Sequence, residues 1–187
     1  MYHSEYKTIY LDFDNVIVDS IKAIVELYNE DYQYYKKFQK VNWWEVYSWD
    51  FQECKCAKGG ELIRYFNQPR FFQRVEIMPW AERVINDLSE FYKIKIVSLG
   101  YNPNLYGKSK WLNKKFLGIE FIGINMNKYD DKSCIDMGDG ILIDDSAKNL
   151  EQSNASLKIC FGDIYEWNKT WNGIRLKNWM DIRNYLL

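Results

Sequence analysis

Thr8-Ile9-Tyr10-Leu11-Asp12-Phe13-Asp14 is a short run of β-formers that ends in acid. A run this apolar predicts a strand over Thr8 to Phe13, buried on both faces as in a parallel sheet, delivering carboxylates at its C-terminal end. Side chains alternate along a strand, so Asp12 and Asp14 share a face until the chain leaves the sheet. Two acids so placed repel unless a cation holds them. A calcium loop starting at Asp12 fails, because its positions 5, 6 and 12 fall on Val16, Ile17 and Ala23, where an acid or amide, Gly and Glu are needed.

Outward from this strand, a helix is predicted from Ser20, with Asp19 or Ser20 as N-cap and Ile21, Ile24, Val25, Tyr28, Tyr32 and Tyr35 on one face. Residues 37 to 78 mix Trp43, Trp44, Tyr47, Trp49, Phe51, Phe66, Phe71 and Phe72 with charge and sustain no alternation, which predicts a small helical insertion ending at Pro79. Ala81, Val84, Ile85, Leu88 and Phe91 then return to helical spacing. An α/β rhythm follows: strands over Ile94 to Ser98, Ile119 to Ile124, Ile141 to Asp144 and Leu157 to Phe161, and helices over Leu105 to Phe116, after Ser146, and over Asn178 to Leu187. Strands alternating with helices imply right-handed crossovers and a mostly parallel sheet whose ligands lie at the strands' carboxyl ends.

A second acidic strand end, Gly138-Asp-Gly-Ile-Leu-Ile-Asp144-Asp145, supplies another carboxylate pair. One acidic strand end is common; two in one parallel sheet point to a site. Mg²⁺ takes a few carboxylates, waters and a substrate phosphate, which this pairing provides. Between the two acidic ends, the Ile94 strand delivers Ser98, with Gly100 close behind, a hydroxyl and free backbone N–H groups suited to phosphate oxygens.

Composition narrows the function classes. The 187 residues include 25 Lys and Arg against 26 Asp and Glu, a formal net charge of -1 that gives no global attraction for nucleic-acid polymers. No apolar run approaches the roughly 20 residues that span a bilayer, so no membrane association is expected. The N-terminal stretch Met1 to Thr8 shows no secretory pattern, and a cytoplasmic location is expected. Cys54, Cys56, Cys134 and Cys160 are irregularly spaced and read as reduced thiols. Cys54 and Cys56 form a lone C-x-C, and with His3 the single histidine, a zinc site lacks ligands.

Taken together, Asp12-Phe-Asp14-Asn-Val-Ile, Val97-Ser98, a lysine, and Ile143-Asp144-Asp145 resemble the ordered motifs of the haloacid dehalogenase (HAD) superfamily. Within it, Ile77-Met-Pro-Trp-Ala81, Lys108-Ser-Lys-Trp111, Asp131-Lys132, the Gly138 to Asp145 stretch and a Trp-bearing C-terminal segment resemble the 5'(3')-deoxyribonucleotidase family. Three positions depart from that family's pattern: Asn15 stands for Gly, Ser98-Leu99 for Thr-Ser, and Ser20 for a base-packing Phe of some relatives. The resemblance implies an α/β fold, a Rossmann-like HAD core (1–19 and 79–187) with a parallel sheet, and a small helical cap (20–78) inserted after the first strand.

It also implies a Mg²⁺-dependent phosphatase acting on (deoxy)nucleoside monophosphates. Asp12 would be the nucleophile, forming an aspartyl-phosphate, and Asp14 the general acid and then base. Asp12, Asp14 through its backbone carbonyl, Asp145 and Asp144 would hold Mg²⁺. Ser98 and Leu99 would bind the phosphate with Lys132 or Lys108; spacing leaves both lysines open, with Lys132 nearer the acidic strand in sequence. Phe66 and Phe71, followed by Trp43 and Trp44, would line a base pocket under a lid that excludes water. The expected partner is a small phosphomonoester, here a nucleotide, and a homodimer is left open. Two other readings stand beside this one: the same chemistry on a sugar phosphate or other small metabolite, and a non-catalytic nucleotide- or protein-binding domain. Against the last, a binder needs neither the nucleophile nor the acid that Asp12 and Asp14 supply.

Overall fold

A computed structural model describes residues 5–187; Met1 to Ser4, with His3 and the first half of the N-terminal stretch used for the location reading, lie outside the described residues. The strand predicted at Thr8 forms as β1, Thr8–Leu11, fully buried and parallel to both of its neighbours. It ends two residues earlier than the predicted Phe13, so both acids stand beyond the strand proper. The other strands are β2 (Lys93–Gly100), β3 (Glu120–Asn125), β4 (Gly140–Asp144), β5 (Leu157–Phe161) and β6 (Ile174–Leu176). They form one parallel six-stranded sheet in the order β3-β2-β1-β4-β5-β6. Chain order reverses at β1, which places a crevice at the carboxyl ends of β1 and its neighbours.

Side-chain alternation divides the core by face. Ile9 and Leu11, beside Ile94 and Ile96 on β2 and Ile141 and Ile143 on β4, face the larger core. That core takes in α4 (Ala81–Ser89), α5 (Asn102–Lys115) and α7 (Trp179–Leu186). Tyr10, Val97, Leu142 and Cys160 face the smaller one, closed by Leu150 of α6 (Ala147–Gln152). Apolar residues on both faces of every central strand explain why the sequence shows continuous runs.

Between β1 and α4 lies the helical insertion. Its first element, α1 (Ser20–Tyr32), starts where expected, with the Asp19 carboxylate accepting from Lys22 N over 2.8 Å. The helix stops at Tyr32, so Tyr35 of the predicted face falls outside it and is exposed. Short helices α2 (Gly59–Leu62) and α3 (Pro69–Arg74) and 3-10 turns at Trp43–Glu45 and Ile63–Asn67 complete the insertion. Its entry and exit are zipped together: Met78 N donates to Ile17 O over 2.8 Å and Asp19 N to Glu76 O over 3.0 Å, around an antiparallel Val18–Ile77 bridge.

Two further differences from the predicted elements have local reasons. α5 starts at Asn102, three residues before Leu105, because Pro103 sits in the first turn, where its missing N–H is harmless. The three-residue β6 was not predicted; Ile174, Arg175 and Leu176 are half-buried and too few to show a period.

Trp179 ties α7 to the loop that follows β1. It is fully buried, its ring packs on Phe161 at 5.6 Å, and its Nε1 donates to Val16 O over 2.8 Å. Trp179→Ala should therefore destabilise the fold by about 3–5 kcal/mol, the range for a buried large aromatic, read as a lower urea midpoint at unchanged slope.

Candidate active site

The crevice collects the acids. Asp12 N continues the ladder by donating to Ile143 O over 2.9 Å, which sets Asp12 beside the end of β4 and the Asp144-Asp145 pair. Ligand oxygens of Asp12, Asp144 and Asp145, all buried, lie within 4.8 Å of one another.

Lys132 is completely buried between two of them, with Nζ 2.5 Å from Asp12 Oδ1 and 2.6 Å from Asp144 Oδ2. Burial alone would push its ammonium down, but the charges of Asp12 and Asp144 outweigh that and hold it above the ordinary lysine value. Asp144 is also filled on its other side: Oδ1 accepts from Ser146 N over 2.9 Å, and Asn149 Nδ2 reaches both oxygens at 3.2 Å.

Asp145 is different. Its Oδ2 accepts from Trp167 Nε1 at 2.8 Å and Asn15 Nδ2 at 3.2 Å, while Oδ1 accepts no hydrogen bond and no cationic side chain pairs with it among the described residues. Burial first, then the charges of Asp12 and Asp144, push its carboxyl well above the usual range, against the pull of the Asn15 and Trp167 bonds. A hard divalent cation suits this donor set. Asp12 and Asp145 offer carboxylate oxygens, and the ion would relieve the repulsion that Lys132 leaves uncompensated.

Asp14 belongs to a second network. Its Oδ1 accepts from Ser20 Oγ at 2.6 Å, and its Oδ2 lies 2.5 Å from Lys108 Nζ. Lys108, buried on α5, also donates to Ser98 Oγ at 2.8 Å and to Leu99 O at 3.0 Å. Both candidate lysines therefore reach the site: Lys132 on the Asp12 side, Lys108 on the Asp14 and Ser98 side.

The aromatic candidates separate. Phe66 faces inward, with its ring centroid 6.0 Å from Lys108 Nζ, and its carbonyl accepts from Asn104 Nδ2 over 2.8 Å. Trp43 borders a cavity of about 710 Å³ that also reaches Asn15, Asp145, Tyr165 and Trp179. Two expectations are corrected. Phe71 is fully buried against Phe66 and Phe72, packing the insertion's own interior, and offers no face to a ligand. Trp44 turns outward at 62% exposure, meeting Trp43 edge to face.

Sequence reading missed Trp167, Asn149 and Trp49 as site residues, and took Asn15 and Ser20 only as departures from a pattern. Trp167 stands in the aperiodic stretch between β5 and β6, where no spacing marks it.

With this geometry, the comparisons are specific. Residues 6–187 match the family described as 5' nucleotidase, deoxy (pyrimidine), cytosolic type C protein (NT5C). The chain belongs to this family. Membership places it among phosphoric monoester hydrolases of the nucleotidase type. It is 27% identical over 177 residues to a 5'(3')-deoxyribonucleotidase of Clostridium acetobutylicum, covering 94% of this chain and 92% of that one. The fold is that of HAD hydrolases. A crystal structure described as a predicted phosphatase from Clostridium acetobutylicum superposes with a TM-score of 0.68 at 14% identity, covering 97% of this chain and 98% of the other. The putative HAD-hydrolase YfnB from Bacillus subtilis, crystallised bound to magnesium, gives 0.59 at 13% identity, covering 97% and 99%.

Asp145 generates a test of the cation site. Adding Mg²⁺ to metal-free protein should raise its melting temperature in proportion to ion binding by the folded state. Asp145→Asn should remove most of that rise, while its metal-free form melts no lower than the wild type, because one of three crowded buried charges has gone. A full Mg²⁺-induced rise in Asp145→Asn would place the ion elsewhere.

Proposed function

We propose that the protein is a Mg²⁺-dependent phosphatase that hydrolyses (deoxy)nucleoside monophosphates through an aspartyl-phosphate on Asp12. The observation that carries this reading is the presence, just past the end of β1, of a buried carboxylate held by one ammonium, Asp12 by Lys132, and a second acid held apart from it by another, Asp14 by Lys108. Lys132 grips Asp12 through Oδ1, leaving Oδ2 to attack phosphorus in line. As the phosphorus–oxygen ester bond breaks, the leaving oxygen takes a proton from Asp14. Asp14 then accepts a proton from water, which attacks the phosphoryl group, frees inorganic phosphate and restores Asp12.

Asp12, Asp145 and the Asp14 backbone carbonyl would hold Mg²⁺, with Asp144 beside them. Bound there, the ion would offset the phosphate's negative charge and make phosphorus more electrophilic. Ser98 Oγ, the Leu99 to Gly100 backbone and the two lysines would receive the phosphoryl oxygens. Lys108 and Ser20 fix where Asp14 stands, so the acid is aimed before substrate arrives.

Residues 20–78 act as the cap in this reading, closing over the crevice and shielding the phosphoenzyme from stray water. Trp43 and Phe66 are the cap rings offered to a nucleobase, and a good stack contributes about 1–3 kcal/mol. The nucleotide substrate and a cytoplasmic setting are supported by the family match and by the 5'(3')-deoxyribonucleotidase relative.

Phosphate release should be measured on 5'- and 3'-(deoxy)nucleoside monophosphates beside sugar phosphates, with Mg²⁺ and with EDTA. Mg²⁺-dependent release concentrated on nucleotides is expected; release confined to sugar phosphates would discard the base pocket and keep the chemistry. Asp12→Asn should abolish turnover with the fold intact, and wild-type turnover in that variant would refute the nucleophile. Asp14→Asn should slow kcat about 10²–10⁴-fold, the range for a lost general acid, and flatten its pH profile.

A further inference from the structure

Both hydrogen bonds to Asp145 come from residues tied to the insertion, and both fall on Oδ2. Asn15 holds a left-handed backbone with φ 55°, and while its Nδ2 donates to Asp145, its Oδ1 accepts from Ile21 N at 3.3 Å in the first turn of α1. Trp167 is anchored on the core side by Ala147 N donating to its carbonyl over 3.2 Å. On the insertion side its ring meets Trp49, centroids 5.0 Å apart, and next to it Glu166 N donates to Tyr47 O over 3.0 Å. Tyr165 stacks parallel on the Trp167 ring at 4.5 Å and 3°. The indole N–H that reaches Asp145 is therefore aimed by a stack with one member in the insertion.

We infer that Trp167 and Asn15 are positioning residues that hold Asp145 with Oδ1 toward the cation, and that Trp49 links docking of the insertion to cation affinity. The inference rests on the Mg²⁺ reading above. A carboxylate without fixed donors can rotate and offer either oxygen; two donors on Oδ2 select Oδ1. Residues that orient a metal ligand without touching the ion commonly set its affinity by 10–100-fold. Coupling of this kind is reciprocal, so an ion that binds better when Trp49 is docked also favours the docked insertion.

The test is Mn²⁺ binding to the full chain, followed by the EPR signal of the free ion with Mg²⁺ as competitor. Trp167→Phe keeps a ring in the stack and loses the N–H. It should weaken binding about tenfold, with the substrate KM near the wild-type value once the ion is saturating. Trp49→Ala, which removes only the insertion's ring from beside Trp167 and leaves every Asp145 hydrogen-bond donor in place, should weaken binding several-fold, and Trp49→Phe should recover most of it. Limited proteolysis should show Mg²⁺ protecting the insertion in the wild type and less so in Trp49→Ala. Wild-type affinity in Trp167→Phe would overturn the positioning role, and wild-type affinity in a folded Trp49→Ala would overturn the link to the insertion. A wild-type protein that binds neither ion would overturn the Mg²⁺ reading and this inference together, whereas the two variant results leave that reading standing.

Discussion

A buried ammonium between two buried carboxylates organises this molecule. Removing Lys132 from water is costly for an ion, and the geometry offsets that cost only because Asp12 and Asp144 both reach Nζ within 2.6 Å. That reach depends on the sheet. Leu11 pairs with Ile143, and the Asp12 amide then donates to the Ile143 carbonyl, so the two acids leave neighbouring strands side by side. The register of two strands thus fixes the distance between two charges.

The same arrangement leaves charge over. Three clustered carboxylates face one buried ammonium, so the ionised cluster carries an excess of two negative charges that no described side chain cancels. Burial first, and this excess of charge second, drive Asp145 upward, and the excess is what a divalent cation would neutralise. Asp14 stands outside that ledger because Lys108 already pairs with it. Separating Asp14 from the cluster, by two residues of chain and its own cation, lets one strand end supply two carboxylates in different electrostatic surroundings.

Much of this was legible in the sequence, for identifiable reasons. Parallel strands buried on both faces write themselves as apolar runs, so β1, β2, β4 and β5, and the acids at the ends of β1 and β4, could be placed within two residues or so. Helices with one buried stripe, such as α4 with Val84, Ile85 and Leu88, were equally plain. Reading failed where structure does not depend on period. The insertion is made of short turns whose aromatics serve mostly each other, so spacing could not separate Phe66, which faces the site, from Phe71, which is enclosed. Trp167 lies on a loop and acts through one indole N–H, a contact that only the folded chain brings about.

Asp144 and Asp145 show the limit most sharply. Successive residues of an extended chain point to opposite sides, so an Asp-Asp pair at a strand end places one carboxylate inward and one toward the crevice mouth, and sequence does not say which does what. Their partners decide it. Asp144 spends its oxygens on Lys132, Ser146 N and Asn149, which makes it the support that holds the ammonium against Asp12. Asp145 has both of its side-chain donors on Oδ2, and its Oδ1 accepts from no described residue. The pair therefore divides by partner: Asp144 is committed to Lys132, Ser146 and Asn149, while the loop carrying Trp167 and the residue at the insertion's entrance, Asn15, fix one oxygen of Asp145.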